Sequence, residues 1–439
     1  MLIRFGKRTV FVLSLTIQMR TTRKLGFCLL FGAFLVILPT AHASADSGRY
    51  FVKSTKGFWK NAFGVRHSFD DGFSADLSDF QIRLAKMLGV AIEPITVLQI
   101  LPDDPIASSA PNVDPSSTPE STTTPVTTKI PPVRSIKGKS GAIRYLPSDQ
   151  TPWGVEVIYN DPSIVFASGG AGVNVAILDT GVYSAHPDLI RRISQCKDFT
   201  NSRFPVVNGK CEDKNGHGTH VAGIVAADAG ADSRGLYGIA PEASLFIYKV
   251  CGANGSCYAD DIAAALNMAA SEGARIVNMS FGSDQESPLI RDAITATAAK
   301  GLLLVAAAGN DGPFPDSIDY PAAYSSVVAV GAINQLLAVT NWSSRGINST
   351  TEPWVIEHRD IEFAAPGEQI ESTWNNGGYT MLSGTSMASP FVAGLAAKYW
   401  QTDALDPLSA TRDFVHSLVT DILPVGDDDA SGFGLPQVK

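Results

Sequence analysis

The chain has 439 residues, of which 45% are hydrophobic and 18% carry a charge. This length and composition provide enough apolar material for one large core and smaller parts. The formal net charge is −9, which argues against nucleic acid as a partner because proteins that bind nucleic acid usually present a basic surface. An acidic balance favours solubility and does not indicate a substrate.

Residues 1–43 have the pattern of an export signal. Basic residues within positions 20–24 precede the apolar run Leu25–Leu38, and an Ala-His-Ala cleavage pattern follows. The run is too short for a comfortable membrane span, although an uncleaved anchor is the alternative. Met19 would begin this signal directly, so the start is left open between Met1 and Met19. We predict a secreted protein without membrane contact once the signal is removed.

Four of the five cysteines lie beyond the signal, at positions 196, 211, 251 and 257. An even number of cysteines in an exported chain predicts two disulfides. Pairing of neighbours, Cys196 with Cys211 and Cys251 with Cys257, is the simplest of the three connectivities. Free thiols in a reducing compartment are the alternative, which the export signal disfavours.

Residues 48–101 have the pattern of a small α+β unit, which we call the N-terminal unit. Tyr50–Val52 predicts a strand, and Ser78 with Gln81 forms a capping box ahead of a helix that stops at Gly89. Short apolar runs after this helix predict further strands. The apolar face expected for the helix consists of Phe80, Leu84, Met87 and Leu88.

Residues 102–144 are predicted to form a linker. More than half of the residues from Asp103 to Pro132 are Pro, Ser or Thr. Such a composition cannot bury enough apolar surface to fold, and proline stiffens the chain toward extended forms. The linker therefore separates the N-terminal unit from the rest of the chain.

Residues 145–439 alternate short apolar runs with amphipathic stretches. This alternation predicts a doubly wound α/β fold, in which helices cover both faces of a mostly parallel sheet. Crossover helices are expected at Asp260–Ser271 and Pro288–Lys300. The active site of such a fold lies at the carboxyl ends of the strands. The expected buried strands are Val173–Leu178, Leu245–Val250, Ala274–Met279, Leu302–Ala308 and Val327–Ile333.

Three short segments carry the residues of a serine nucleophile activated by a proton relay. They are Asp179-Thr180-Gly181, Asn215-Gly216-His217-Gly218-Thr219-His220 and Gly384-Thr385-Ser386-Met387-Ala388-Ser389-Pro390. The order Asp, His, Ser along the chain is the order found in subtilisins. The segments resemble the active-site blocks of the subtilisin-like (subtilase) serine proteases, and the resemblance extends from about Tyr145 to the C-terminus.

This resemblance implies a serine endopeptidase that cleaves polypeptides through an acyl-enzyme. Ser386 would attack the peptide carbonyl, His217 would take the hydroxyl proton, and Asp179 would hold the histidine ring. Asn310 follows an Ala-Ala-Ala-Gly segment and matches the family's oxyanion-hole asparagine, which acts with the Ser386 backbone N–H. Activity should fall as the pH drops through the titration of His217, at about pH 6 to 7 for an unperturbed histidine.

The resemblance also assigns a substrate groove, in which two segments pair with an extended peptide as neighbouring strands. Cys257 stands where glycine is common in the family, so a bridge from Cys251 would stiffen one of these strands. Asp311, Asp316 and Asp319 could favour a basic substrate side chain, but solvated loop charges are the preferred interpretation. The implied substrate-binding residues are Gly255, Ser256, Ser280, Phe281, Gly282, Ala308 and Gly309.

The N-terminal unit is similar to the inhibitory propeptide (I9 type) of subtilases, which packs on the protease and assists its folding before removal. An unrelated small domain is the alternative. The linker departs from the usual family plan, in which the propeptide runs almost directly into the enzyme. The maturation site is therefore left open between the end of the unit, the linker and the region of Arg144. We expect a monomer whose partners are its propeptide and polypeptide substrates.

No cofactor is needed for this chemistry, but the resemblance implies a structural calcium ion. Asp188 matches a family calcium ligand, and Asp149 or Gln150 with the loop 228–235 could complete a cage of oxygen atoms. This loop departs from the family's calcium-binding form in length and pattern. Calcium is therefore an expectation about stability and not about the reaction.

The same residues also leave four other functions to be compared with a subtilase. A lipase or esterase would use a nucleophile elbow at Ser386, but its acid and histidine would follow the serine, where only His416 is found. An aspartic protease would need a second Asp-Thr-Gly-type loop. His217 and His220 have zinc-type spacing without an evident third ligand. A member that only binds peptides or assists folding is the remaining alternative.

Overall fold

The computed structural model describes residues 48–101, 134–137, 143–348, 355–422 and 426–439. The predicted signal and most of the predicted linker lie outside these residues. Within the described ranges, no helix has the length and the apolarity that a membrane crossing requires.

The N-terminal unit contains a small antiparallel sheet and two helices. In chain order its elements are β1 (Gly48–Val52), α1 (Gly57–Phe63), β2 (Phe73–Leu77), α2 (Asp79–Met87), β3 (Ile92–Pro94) and β4 (Val97–Ile100). β1 pairs with both β2 and β3. Val52, Phe73 and Leu77 are buried in the core of the unit. β4 does not join this sheet and pairs instead with strands of the large domain, residues 145–439.

Helix α2 confirms its expected start and corrects its expected buried face. The Ser78 hydroxyl accepts a hydrogen bond from the Gln81 backbone N–H, and the Gln81 side chain accepts one from the Ser78 N–H, so the capping box forms. The expected apolar face is wrong, because the core is filled by aromatic side chains of α1 and β2 and takes only the small Ala85 fully from this helix. The residues left exposed or half-buried are Phe80, Leu84, Met87 and Leu88.

The remaining strands define the large domain and a hairpin before it. They are β5 (Arg134–Lys137), β6 (Ile143–Leu146), β7 (Asn174–Asp179), β8 (Ile193–Asp198), β9 (Val207–Asn208), β10 (Ser244–Lys249), β11 (Ser256–Tyr258), β12 (Ile276–Met279), β13 (Phe281–Gly282), β14 (Leu303–Ala307), β15 (Val327–Ile333), β16 (Phe363–Pro366), β17 (Ile370–Thr373), β18 (Tyr379–Leu382), β19 (Val419–Thr420) and β20 (Leu435–Pro436). An eight-stranded sheet has the order β16-β15-β14-β12-β7-β10-β8-β9. Its pairs are parallel except β8 with β9.

The helices of the large domain cover both faces of this sheet, as a doubly wound fold requires. They are α3 (Trp153–Tyr159), α4 (His217–Ala226), α5 (Ala259–Glu272), α6 (Pro288–Ala298), α7 (Thr385–Lys398) and α8 (Pro407–Ser417). Side chains along β7 alternate between the faces. Val175 and Ile177 pack in a core with α4 and α7, whereas Ala176 and Leu178 pack in a second core with α5 and α6.

The five predicted strands are present as β7, β10, β12, β14 and β15, and both predicted crossover helices are present as α5 and α6. The parallel pairing brings the carboxyl ends of these strands to one edge of the sheet. Both neighbour disulfides, Cys196–Cys211 and Cys251–Cys257, are formed. The predicted fold class and cysteine pairing are therefore confirmed.

A buried ionic cluster ties α8 to the edge of the sheet. Glu362, which precedes β16, is fully buried and accepts hydrogen bonds from Arg412 (2.8 Å) and from Nε2 of His416 (2.9 Å). Burial alone would raise the pKa of Glu362, but the charge and hydrogen bonds of Arg412 and His416 outweigh it and lower this pKa to about 2. The ionised carboxylate therefore stabilises the folded chain.

We predict that Glu362→Gln lowers the free energy of unfolding at neutral pH by about 3 kcal/mol, because it leaves Arg412 without its charge partner. Since folding lowers the pKa of Glu362, its contribution is complete above the unfolded value near 4.5 and is lost as the pH falls toward about 2. Denaturant titrations from pH 7 down to pH 3 would measure both effects. The exposed Glu357→Gln is the control, and equal stability of the two variants would contradict the prediction.

Candidate active site

Asp179 and His217 are in contact although 38 positions separate them in the chain. Asp179 is the last residue of β7, and His217 is the first residue of α4. Nδ1 of His217 lies 2.8 Å from Oδ1 and 3.0 Å from Oδ2 of Asp179, and both side chains are buried. The carboxylate is also held by the Thr180 backbone N–H at 2.7 Å. This contact fixes the ring, so that Nε2 is the nitrogen directed away from the acid.

The loop that leads into α4 is organised by Asp213, a buried residue that sequence reasoning did not single out. Its Oδ1 accepts hydrogen bonds from the backbone N–H groups of Asn215 (3.0 Å) and Gly216 (2.8 Å). Its Oδ2 accepts from the backbone N–H (2.9 Å) and the hydroxyl (2.6 Å) of Thr219. The hydroxyl of Thr180 donates to Oδ1 as well, which links this loop to the end of β7. Asp213 therefore sets the position of His217 relative to Asp179.

Glycine is required just before the histidine. Gly216 has a φ of 115°, and a Cβ at this position would lie 2.3 Å from the ring of Trp374. A side chain would therefore strain the backbone and strike the neighbouring ring. The Asn-Gly-His pattern in the sequence thus reflects a turn that only glycine fits.

Ser386 lies in the first turn of α7, and its hydroxyl donates a hydrogen bond of 3.2 Å to the carbonyl oxygen of Ser280. The Ser280 hydroxyl in turn donates to the Ser386 carbonyl oxygen at 2.9 Å. Ser280 connects β12 to β13, so the serine of α7 is fixed against the carboxyl edge of the sheet. The helix N-terminus favours negative charge that develops near this serine.

Asn310 is oriented by the residue that precedes Ser386. Its Oδ1 accepts hydrogen bonds from the backbone N–H (3.0 Å) and the hydroxyl (2.9 Å) of Thr385. Because Oδ1 accepts these two hydrogen bonds, Nδ2 is the atom on the other side of the amide and is the hydrogen-bond donor. Ala308 and Gly309, which precede Asn310, are buried beside it.

His220 lies one helical turn after His217 and has a structural contact. Its Nε2 lies 3.0 Å from the carbonyl oxygen of Ile370 and 3.2 Å from that of Thr380. Burial, with a smaller effect of His217, lowers the pKa of His220 to about 3, so the ring stays neutral. By donating to these carbonyl oxygens, the neutral ring holds α4 against β17 and β18.

The predicted substrate-binding segments enclose a strand of the N-terminal unit. β4 pairs antiparallel with β11 on one side and β13 on the other. Ile100 donates its N–H to the Gly255 carbonyl oxygen at 2.9 Å and lies opposite Phe281. Gln99 lies opposite Gly282 and also faces β11. The groove thus binds an extended chain by β-augmentation.

The register of β4 leads directly to the serine. Since Ile100 lies opposite Phe281 in an antiparallel pair, the next residue, Leu101, takes the position opposite Ser280. Ser280 is the residue whose carbonyl oxygen contacts the Ser386 hydroxyl. Leu101 is buried, whereas the chain beyond it leaves the described residues.

On the other side of β4, the pairing uses the disulfide-bonded strand. Ser256 lies opposite Gln99, and their side chains are joined by a hydrogen bond of 3.2 Å. Cys257 lies opposite Leu98, which is buried. The Cys251–Cys257 disulfide closes the loop that carries this strand. Five of the predicted groove residues therefore lie along the same extended segment or beside the serine, and Ala308 and Gly309 precede Asn310.

The preferred interpretation of Asp319 as a solvated loop charge is wrong. Asp319 is only 2% exposed, whereas Asp311 and Asp316 are exposed. Burial, with the nearby charges of Asp311 and Asp284, raises the pKa of Asp319 to about 8. Sequence reasoning missed this because nothing in the local pattern distinguishes a buried acid from an exposed one in a Gly- and Pro-rich loop.

Comparisons with known proteins agree with this geometry. The family model described as "Subtilase family" matches residues 170–434. A subtilisin from Bacillus sp. (strain TA39) is 47% identical over 312 residues, which span 66% of this chain and 73% of that protein. The solved structures of S41 psychrophilic protease (45% identity, TM-score 0.63) and sphericase (44% identity, TM-score 0.64) each cover 67% of this chain and 100% of their own. The chain belongs to the subtilase family.

As a subtilase, the chain is a serine endopeptidase of the subtilisin type, and its substrates are polypeptides. This membership excludes the lipase and esterase alternative. The Asp-His-Ser order in the sequence therefore led to the correct enzyme class. A lipase would carry its acid and its histidine after the serine, whereas the acid and histidine that are in contact here both precede Ser386.

The possible calcium ligands of this subtilase lie close together. Gly235 lies against the buried carboxylate of Asp188, because a Cβ on Gly235 would lie 1.9 Å from Oδ1. The amide of Gln150 lies 2.9 Å from the carbonyl oxygens of both Ser233 and Gly235. Turning this amide would present its oxygen beside those carbonyls. Asp149 instead accepts the Thr151 N–H. A carboxylate, an amide oxygen and two carbonyl oxygens are a set of donors that fits calcium.

We predict that Asp213→Ala lowers the free energy of unfolding by about 3 kcal/mol, since it removes hydrogen bonds to a buried charge. It should also lower kcat more than it raises KM, because it loosens the loop before His217 without touching the groove. The neighbouring Glu212→Ala is the control, because Glu212 is 77% exposed and forms a surface ion pair with Lys214. A kinetic and thermal comparison of the two variants would contradict this role if they behaved alike.

Proposed function

We propose that the chain is a secreted subtilase, made as a precursor, in which Ser386, His217 and Asp179 form the catalytic triad and the N-terminal unit is an inhibitory propeptide. The observation that carries this proposal is the position of β4. It occupies the groove between β11 and β13 as an extended substrate would, and its register leads to Ser280 beside the proposed nucleophile.

The contact between Asp179 and His217 supports a division of labour among the three proposed residues. Ser386 attacks the peptide carbonyl carbon while its hydroxyl proton passes to Nε2 of His217. Asp179, bonded to Nδ1, stabilises the imidazolium that results. His217 then gives the proton to the leaving amine as the C–N bond breaks, and an acyl-enzyme remains. Water activated by the same histidine hydrolyses this ester and restores the serine.

The oxyanion of each tetrahedral intermediate would be stabilised by Asn310. Its Nδ2 is the donor end of an amide whose oxygen is held by Thr385. The Ser386 backbone N–H, at the N-terminus of α7, is the proposed second donor. Because both donors are fixed before the reaction, no reorganisation is needed when the charge develops.

The contact between the N-terminal unit and α5 supports its assignment as an inhibitor. Asp260 and Asp261, in the first turn of α5, are fully buried under the unit. Arg49 donates to Asp260 (3.1 Å) and Asp261 (2.9 Å), and Arg66 and His67 contact Asp261 at 3.3 Å and 2.9 Å. Charges buried at an interface require such partners, so this face of the enzyme matches this unit specifically.

The peptide bond after Leu101 differs from an ordinary cleavage site. The next residue in the sequence is Pro102, so the leaving nitrogen would belong to a proline ring. An inhibitor that binds like a substrate without being cut at this point fits that sequence. We therefore assign maturation to a bond farther along the chain, between the N-terminal unit and the large domain.

Secretion and a structural calcium ion complete the proposal. The export pattern of residues 1–43 and the two disulfides both favour an oxidising compartment. Asp188, Gln150 and the carbonyl oxygens of Ser233 and Gly235 would hold calcium. The ion would fix the loop that follows α4 and would take no part in the reaction. We expect the mature enzyme to act as a monomer.

The intact mass of the purified precursor over time tests the triad and self-processing together. The native chain should lose the N-terminal unit and the linker, whereas Ser386→Ala should keep its full mass because it has no nucleophile. Ser271→Ala, which removes an exposed serine of α5, is the control and should mature like the native chain. Equal processing of the native and Ser386→Ala chains would contradict self-cleavage by Ser386.

Removal of calcium by a strong chelator should lower the melting temperature of the mature enzyme by roughly 5 °C, since a ligand that binds only the folded state stabilises it. Asp188→Asn should remove this response, and the exposed Asp413→Asn should keep it. A melting temperature that the chelator does not change would contradict the calcium site.

A further inference from the structure

Asp319 lies between the groove strand and the oxyanion segment. A Cβ on Gly282 of β13 would lie 2.4 Å from Oδ2 of Asp319, and a Cβ on Gly309 would lie 2.9 Å from the same atom. The Asp319 backbone N–H also donates to the Ala308 carbonyl oxygen at 2.8 Å. Gly282 pairs with bound peptide, and Gly309 precedes Asn310. The carboxylate therefore lies beneath the space that these two walls enclose.

Two further acids face Asp319. Carboxylate oxygens of Asp284, Asp311 and Asp319 all lie within 4.8 Å of one another, and we call these three residues the acidic pocket. Oδ1 of Asp319 is buried and has no hydrogen-bond partner. A cavity of about 260 Å³ is lined by Asp284 and Asp311 and also by Asp316 and Arg359. Asp319 shares a hydrogen bond with Asp284, but its Oδ1 has no donor, so this oxygen can accept from a cation once the acids ionise.

Arg359 lines the same cavity as Asp284 and Asp311, but its guanidinium is bound to Asp316. Arg359 donates from Nη2 to the carbonyl oxygen of Asp316 at 2.7 Å and forms an ion pair with the Asp316 carboxylate. Its charge lowers the pKa of Asp319 less than burial and the charges of Asp311 and Asp284 raise it. The acidic pocket is thus open to a cation brought by a ligand.

We propose that the acidic pocket binds the side chain of the substrate residue on the amino side of the scissile bond and selects arginine or lysine there. This inference rests on the proposed function, since it concerns the same groove and the same nucleophile. The residue in question takes the register position of Leu101, opposite Ser280. The two walls that meet at Asp319 are β13, through Gly282, and the segment before Asn310, through Gly309. In this proposal they lie on either side of the position that Leu101 takes.

A guanidinium or ammonium group matches the chemistry of the pocket. Arginine presents parallel N–H donors that a carboxylate accepts in pairs, and it is weakly hydrated, so its burial beside an acid is favourable. Glycines at 282 and 309 let the Asp319 carboxylate lie directly against both walls, where a Cβ would clash with it. A leucine side chain fills the space without supplying a donor to Oδ1 of Asp319.

The inhibitor and the linker are consistent with this preference. Leu101 lies in the groove and precedes Pro102, so it occupies the position without being a cleavage point. The segment between Pro102 and Tyr145 contains bonds that follow a basic residue. These residues are Lys129, Arg134, Lys137, Lys139 and Arg144.

Three carboxylates could also hold a divalent cation, and the position of the pocket argues against it. The pocket opens beside a strand that pairs with substrate, so a bound ion would meet the incoming side chain. The calcium donors around Asp188 are, in contrast, distant in the chain from the groove residues and include carbonyl oxygens. Calcium at the acidic pocket is therefore treated as an outcome of the test.

The test uses the mature enzyme and quenched peptides that differ only in arginine or leucine before the cleaved bond. We expect kcat/KM for the arginine peptide to exceed that for the leucine peptide by about tenfold or more. Asp319→Asn should reduce this ratio by about tenfold, because the amide keeps the shape and loses the charge. Asp292→Asn removes an exposed acid of α6 outside the groove and should leave the ratio unchanged.

The pH dependence of the same ratio provides a measurement on the native enzyme. A carboxyl with a pKa raised to about 8 is protonated below that pH, so its attraction for arginine is weaker there. The ratio should therefore rise as the pH increases through about 8, where Asp319 ionises in the free enzyme. This profile decides the question if Asp319→Asn does not fold.

The outcomes separate this inference from the proposed function. Cleavage of both peptides, with a leucine preference that neither pH nor Asp319→Asn changes, overturns the inference and leaves the protease intact. Cleavage of neither peptide overturns the proposed function itself. If added calcium lowers cleavage of the arginine peptide by the native enzyme but not by Asp319→Asn, the pocket is a metal site and the selectivity proposal is wrong.

Discussion

The carboxyl edge of the parallel sheet is the constraint on which the site depends. Strands β7, β12 and β14 run in the same direction, so the segments that follow them meet at one edge although they are far apart in the chain. Asp179, Ser280 and Asn310 are carried to this edge by these three strands. Helices α4 and α7 then bring His217 and Ser386 to the same edge. Small changes in strand register would move all of these groups.

A second constraint follows from how the groove recognises its occupant. Main-chain hydrogen bonds from β11 and β13 are independent of side chains, so under the proposed function they would accept both β4 and a substrate. Discrimination must therefore come from elsewhere. The ionic contacts of Asp260 and Asp261 bind the N-terminal unit outside the groove, and the acidic pocket is proposed to act on one side chain within it. Under these proposals, inhibition and selectivity would use separate surfaces around one shared backbone interaction.

The sequence was sufficient for the fold and the cysteine pairs, and it named the main residues of the proposed site. Buried parallel strands form continuous apolar runs, and the Asp, His and Ser segments follow such runs or begin helices, so local patterns report them. Burial of single polar residues is different, because it depends on contacts between distant segments. The burial of Asp213 and of Asp319 therefore escaped prediction. The predicted buried face of α2 was wrong, because the small core of the N-terminal unit accepts fewer apolar side chains than this helix carries.

The central claim is that His217 makes Ser386 nucleophilic. The most direct measurement is the rate at which a fluorophosphonate modifies the mature enzyme, with the modified residue located by peptide mass spectrometry. The account predicts one adduct per chain, on Ser386, at a rate that falls as His217 is protonated and falls by several orders of magnitude in His217→Ala. An adduct on another residue, or an unchanged rate in His217→Ala, would contradict it.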